Sequence, residues 1–213
     1  MRILITALVA LTLASDCHAI RSPQQDQMIL KQMSDNIVAP LGPKAATVEK
    51  IRVLRRYIHE RMKPVAVPIG QGDVIDATSN TTILDRIIMG SGWCNHQAEA
   101  FITLAVIQGI PCRLVFLMNK EGTASHHSIA EAYVDDKWII VDPMFNIDKV
   151  ITREDVKKNP SVLWDVPAIK DREKNETPEA VHKWLEVFQN KAFLVYQIDG
   201  YGQYKRLDAM EDK

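Results

Sequence analysis

The chain has 213 residues, 46% of them hydrophobic and 25% charged, a balance that suits one globular domain with some appended structure and excludes disorder along its whole length. Its formal net charge of -1 offers no basic surplus, so no nucleic-acid partner is expected.

The first segment, "MRILITALVALTLASDCHA", has one positive charge, an apolar run from Ile3 to Ala14, and small residues towards Ala19. That three-part pattern predicts a secretory signal over residues 1–19, cleavage after Ala19, and a secreted or periplasmic protein. The run is short for a membrane span, so no integral membrane segment is expected after cleavage. A lipoprotein reading with Cys17 as the lipidated residue is disfavoured by Asp16 before it. Residues 20–44 are polar and then loop-like, broken by "APLGP" from Ala39 to Pro43, and read as an N-terminal arm. Residues 45–213 are assigned to one domain.

From Ala45 to Lys63, the residues Val48, Ile51, Leu54, Ile58 and Met62 recur at helical spacing, with "RVLRR" (Arg52 to Arg56) read as a solvated face. Pro64 and Pro68 turn the next stretch into a loop that leads to a short helix over Thr82 to Met89. A long apolar helix follows, opening at Cys94 and reaching about Gln108. Two strands, Cys112 to Asn119 and His127 to Val134, come next. A third, Lys137 to Met144, is joined to the second by a two-residue connection, Asp135 and Asp136. Thr177 and Pro178 then signal a helix to about Asn190, "AFLVYQI" is strand-like, and the tail is polar.

Cleavage of the signal leaves Cys94 and Cys112. The intervening helix separates them by roughly 20 Å at about 1.5 Å per residue, far beyond the ~7 Å Cα limit of a disulfide. Cys94 is therefore expected as a free thiol at a helix start, where the positive end of the helix dipole favours thiolate. Strand Cys112 to Asn119 carries the chain back towards it, so His127 opens the next strand nearby. In an antiparallel pair with an even turn, opposed residues have numbers of odd sum; those of His127 and Asp142 do, which puts both on one face, opposed or one step diagonal. Thiol, imidazole and carboxylate in that order suit a nucleophile, its base, and a carboxylate that orients the base, for acyl transfer through a thioester.

The stretches "GWCNHQAEAFITLAVIQGIPCRLVFL" and "HSIAEAYVDDKWIIVDP", spanning residues 90–143, resemble the core of the transglutaminase-like superfamily: a cysteine opening a helix, a Gly-Ile-Pro-x-Arg stop, a histidine opening a strand, then W-x-x-V-D-P. The resemblance implies an α+β, papain-like fold with the nucleophile at a helix N-terminus packed on an antiparallel sheet. It assigns Cys94 as nucleophile, His127 as base and Asp142 as orienter. It also implies a protein or peptide substrate, and neither cofactor nor metal; hydrolysis by a protease or amidase is favoured over cross-linking. A catalytically silent module that binds a peptide or glycan is the alternative, and the intact triad argues against it. The second oxyanion donor is unassigned, with Trp93, Gln71 and Asn95 as candidates.

Several competing readings remain. His126 is the adjacent rival to His127, His96 reads as an exposed polar residue or rim contact, and Asp142 can serve as a strand-end cap before Pro143. Zinc could use Cys94, His96, His126 and His127, but their spacing is not that of an ordinary paired-ligand site.

Overall fold

A computed structural model describes residues 21–63 and 81–167, and beyond these 169–170, 177, 179, 181, 185–188, 193–198 and 204–207. The predicted signal with Cys17 and almost all of the proline-bearing loop that ends before Thr82 lie outside the described residues.

Within the segment read as an N-terminal arm, residues Pro23–Val38 form a helix, α1. Its start was legible: Ser22 caps it with the Gln25 side chain in a capping box, and Pro23 occupies the first turn. Its inner face is weakly apolar, burying Asp26, Leu30 and Ser34, so hydrophobic spacing alone signals it poorly. Ser34 Oγ donates to Leu104 O at 2.8 Å, and Gln108 Nε2 donates to Ser34 Oγ at 2.9 Å, fastening α1 to the core. The "APLGP" break holds: a 3-10 turn over Ala39–Leu41 ends at Gly42, whose φ of 79° a side chain would strain.

Helix α2 (Thr47–Arg61) buries Ile51, Leu54 and Ile58 as its spacing predicts. It also buries Arg55, so the arginine cluster is not wholly a solvated face. The guanidinium of Arg55 holds Ile147 O and Asp148, at 2.9 Å to Asp148 Oδ1, while Arg52 and Arg56 stay exposed. Short helix α3 (Ile83–Met89), capped by Thr82, leads to α4 (Cys94–Ile107), the central helix.

Strands β1 (Cys112–Met118), β2 (Ser125–Val134), β3 (Lys137–Val141), β4 (Phe193–Ile198) and β5 (Tyr204–Leu207) form one antiparallel sheet in the order β3-β2-β1-β4-β5. Asp135 and Asp136, with φ of 49° and 60°, make the expected two-residue turn, since a tight hairpin needs positive φ at both centres. β3 stops at Val141, short of the predicted Met144, because the chain turns at Asp142. β5 was not anticipated; its sequence, "YKRL", carries little apolar signal. Of the expected C-terminal helix, Glu179, Val181 and Leu185 are described and helical, followed by a 3-10 turn at Glu186–Phe188. Another helix, α5 (Arg153–Lys158), follows the sheet's first three strands.

Each face of the sheet carries its own core. Leu114, Ala130, Ala132, Ile139 and Val141 pack towards α4 and α2. Val115, Leu117, Ile129, Ile140 and Val195 face the C-terminal segment with Leu163, Val166, Leu185 and Phe188. The alternation places odd-numbered β2 residues, including His127, on the second face. Among them Glu131 is 1% exposed and is bound by Arg113 Nε and Arg153 Nε, each at 2.6 Å, with the Arg113 guanidinium 4.2 Å from the Trp138 ring centroid.

Candidate active site

The segment before Cys94 is fixed from α2. Lys63 N donates to Gly90 O at 2.9 Å and Gly92 N to Lys63 O at 3.1 Å. Gly90 ends α3 with φ of 72°, and a Cβ on Gly92 would stand 2.8 Å from Met62 Cε and 2.9 Å from His96 Cβ. Only glycine lets the chain pass so close to α2 and α4. Trp93 N donates to His96 Nδ1 at 3.2 Å, and Gln97 Nε2 to Gly92 O at 3.2 Å. His96 is thus a buried cap of the helix start, not the exposed polar residue or rim contact expected from sequence.

Cys94 is the first residue of α4 and is half-buried; Cys112 is buried, and both are free thiols. Burial pushes the Cys112 thiol up. Burial also acts to raise Cys94, but a hydrogen bond with His127, the charge of that ring, and hydrogen bonds from the backbone and side chain of Ser128 reverse the sign and hold the thiol below its ordinary value. His127 is 2% exposed. Its burial acts to lower its pKa, yet the charge and hydrogen bond of Asp142, followed by those of Cys94, raise it to about 9. Each partner therefore favours the charged form of the other, thiolate beside imidazolium.

The β2–β3 register runs from Val134↔Lys137 to Ala130↔Val141. One further step sets Asp142 opposite Ile129, a diagonal from His127, as parity requires. His127 Nε2 lies 2.7 Å from Asp142 Oδ2, which leaves Nδ1 for the thiol. Asp142 also caps the turn, Oδ1 accepting from Phe145 N at 3.1 Å, so the strand-end reading and the orienting position coexist in one residue. The turn it begins is clamped by α2: His59 Nδ1 lies 2.9 Å from Pro143 O, and Arg55 holds Ile147 O.

The structure thus brings Cys94, His127 and Asp142 together. His126 sits at a register shift, where Leu117 pairs with His127 but Met118 with Ser125, and its side chain lies outside those described. Among the described residues, no three His, Cys, Asp or Glu side chains are grouped as a metal site. Asn95 Nδ2 donates to Glu99 Oε1 at 3.3 Å, and Gln71 lies outside the described residues.

Three contributors were missed in the sequence. Phe145 meets the His127 ring edge-on with centroids 5.1 Å apart, and Phe188 lies tilted at 5.8 Å. Phe145 had a signal, its place three residues after Asp142 in the turn. Phe188 is remote in sequence and had none. Ser128, beside His127, had no signal of its own.

The model of the transglutaminase-like superfamily matches residues 31–143, over half of the chain. No curated protein matches it. Among solved structures, a cysteine-protease candidate from Cytophaga hutchinsonii is 22% identical over 55% of this chain and 37% of its own, with a TM-score of 0.42. A protein described as a TGase is 14% identical over 65% of this chain and 37% of its own, with a TM-score of 0.45. LapG of Legionella pneumophila is 14% identical over 64% of this chain and 79% of its own, also with a TM-score of 0.45. The chain spans little more than a third of the length of the first two.

Proposed function

Because the chain belongs to the transglutaminase-like superfamily, we propose that it is a thiol enzyme that cleaves an amide or peptide bond through a thioester on Cys94. The observation that carries this reading is the hydrogen-bonded run from Cys94 through His127 to Asp142, with the thiol at the start of α4. The Cys94 thiolate attacks the carbonyl carbon, and the N–H of Cys94 at the helix N-terminus donates to the developing oxyanion. As the C–N bond breaks, the His127 imidazolium gives its Nδ1 proton to the leaving amine. The neutral ring then takes a proton from water as the water oxygen attacks the thioester, and the thiolate leaves. Asp142 keeps the ring oriented and balances its charge. Water is the favoured acceptor because Phe145 and Phe188 wall the nearly sealed imidazole, and a small nucleophile reaches it most readily. The substrate is a protein or peptide met outside the cytoplasm, a reading that rests on the signal-like residues 1–19.

The test is to incubate the protein, beside Cys94→Ala, with a protein and peptide mixture in water enriched in 18O and to read the products by mass spectrometry. The expected result is new C-termini or deamidated glutamines that carry 18O and depend on Cys94. Cross-links in their place would make an amine the acceptor. The absence of any Cys94-dependent product would contradict the reading.

Asp142→Asn is expected to lower kcat by about 10²-fold while leaving KM within a few-fold, because an amide can hold the ring in the wrong tautomer. A KM effect alone would show that Asp142 acts in binding.

A further inference from the structure

Two side chains of α2 grip the turn that carries Asp142, one at each end. Arg55 and His59 are four residues apart and so stand on the same face of the helix. His59 Nδ1 lies 2.9 Å from Pro143 O at the start of the turn, and the Arg55 guanidinium holds Ile147 O and Asp148 at its end. A carbonyl only accepts, so Nδ1 of His59 carries the proton. Within the turn, Pro143 O also accepts from Asn146 N at 3.3 Å, and Asp142 O from Ile147 N at 3.1 Å. The β2–β3 ladder ends at Val141, which leaves Asp142 beyond it and makes the turn responsible for its backbone. Proline stiffens the link. The Pro143 ring fixes its own φ and disfavours helical backbone at Asp142, so the two residues move together. A hold on the Pro143 carbonyl therefore also sets where the Asp142 carboxylate meets His127 Nε2, 2.7 Å away.

We infer that His59 is a positioning residue for the reaction: its Nδ1–H, by holding the carbonyl of Pro143, keeps the Asp142 carboxylate aimed at His127. The inference rests on the triad reading of Cys94, His127 and Asp142. Arg55 is 3% exposed and holds a carbonyl and a carboxylate at once, so replacing it would disturb the fold. Half-buried His59 is the member of the clamp that can be changed alone. A carboxylate that drifts from His127 leaves the imidazolium less stabilised. The thiol then loses the charge that lowers it, and its titration moves up.

The experiment compares His59→Asn with His59→Leu, each alone and combined with Asp142→Asn, and uses His59→Ala as a second variant without the donor. Asparagine places an amide N–H near the position of Nδ1, whereas leucine fills similar space with no donor. The readouts are melting, the pH profile of iodoacetamide alkylation at Cys94, assigned by peptide mapping, and the rate of Cys94-dependent 18O incorporation into the peptide mixture. The Leu and Ala variants are expected to raise the alkylation midpoint by about half a pH unit, which is about threefold less thiolate below it. They should slow 18O incorporation about tenfold, the scale of a small misplacement of a catalytic group. His59→Asn should recover most of both. In the Asp142→Asn background, His59→Leu should change the rate by less than about twofold, because the group it positions has already lost its charge. A merely structural histidine would shift melting, leave the midpoint in place, and add its full loss in the double variant. An unmoved midpoint or a full additional loss, in folded Leu and Ala variants, would overturn the role of His59 and leave the triad standing. A midpoint that ignores Asp142→Asn as well would instead defeat the triad and this role with it.

Discussion

Replacing Cys94 by alanine is expected to lower turnover by about 10⁴-fold or more while the protein melts within a few degrees of the wild type. The size follows from removing the atom that forms the intermediate, since triad enzymes lose most of their rate with the nucleophile. The small change in stability follows from place. Cys94 is half-buried at the first position of α4, and the helix start is held by other groups, namely Trp93 N on His96 and Gln97 on the Gly92 carbonyl. Turnover retained in a folded Cys94→Ala protein would end the nucleophile assignment.

Glu131→Ala is expected to destabilise the fold by about 3–5 kcal/mol, because it leaves buried guanidinium charge without its carboxylate. Glu131 is directly opposite Arg113 in the β1–β2 register, and its two oxygens are divided between Arg113 and Arg153, the latter 3% exposed. Burying an unpaired charge costs far more than losing a surface pair. For a chain of this size, the drop in melting temperature is roughly 6–20 °C. A loss below about 1 kcal/mol in denaturant unfolding would mean that the arginines find water, and that the ion triad does not hold α5 to the sheet.

The parts of the site legible in the sequence are those set by local regularities. A glycine-bearing loop before an apolar helix marked Cys94, and strand parity across the Asp135–Asp136 turn put His127 and Asp142 on one face. The diagonal offset seen in the register is one of the two arrangements that parity allows. What escaped was set by packing between distant segments. Helix α1 docks partly through Ser34, beside Leu30, so its buried stripe is partly polar. Arg55 looks solvated within "RVLRR" but is drawn inward by a carbonyl and a carboxylate over ninety positions later. Phe188 reaches the imidazole from far along the chain, a contact that no local pattern signals.

The central claim is that Cys94 and His127 form a thiolate–imidazolium pair, and it can be tested without a substrate. The measurement is a pH titration of thiolate absorbance near 240 nm for the wild type, with Cys94→Ala as blank and His127→Ala as comparison. His127 is raised to about 9, and it lowers the thiol while it stays protonated. The wild-type signal should therefore appear below the ordinary thiol value of about 8.5. In His127→Ala the midpoint should move up to that value or beyond, since burial then acts on the thiol with less opposition. A wild-type midpoint at or above about 8.5, unchanged by His127→Ala, would contradict the pair and the mechanism built on it.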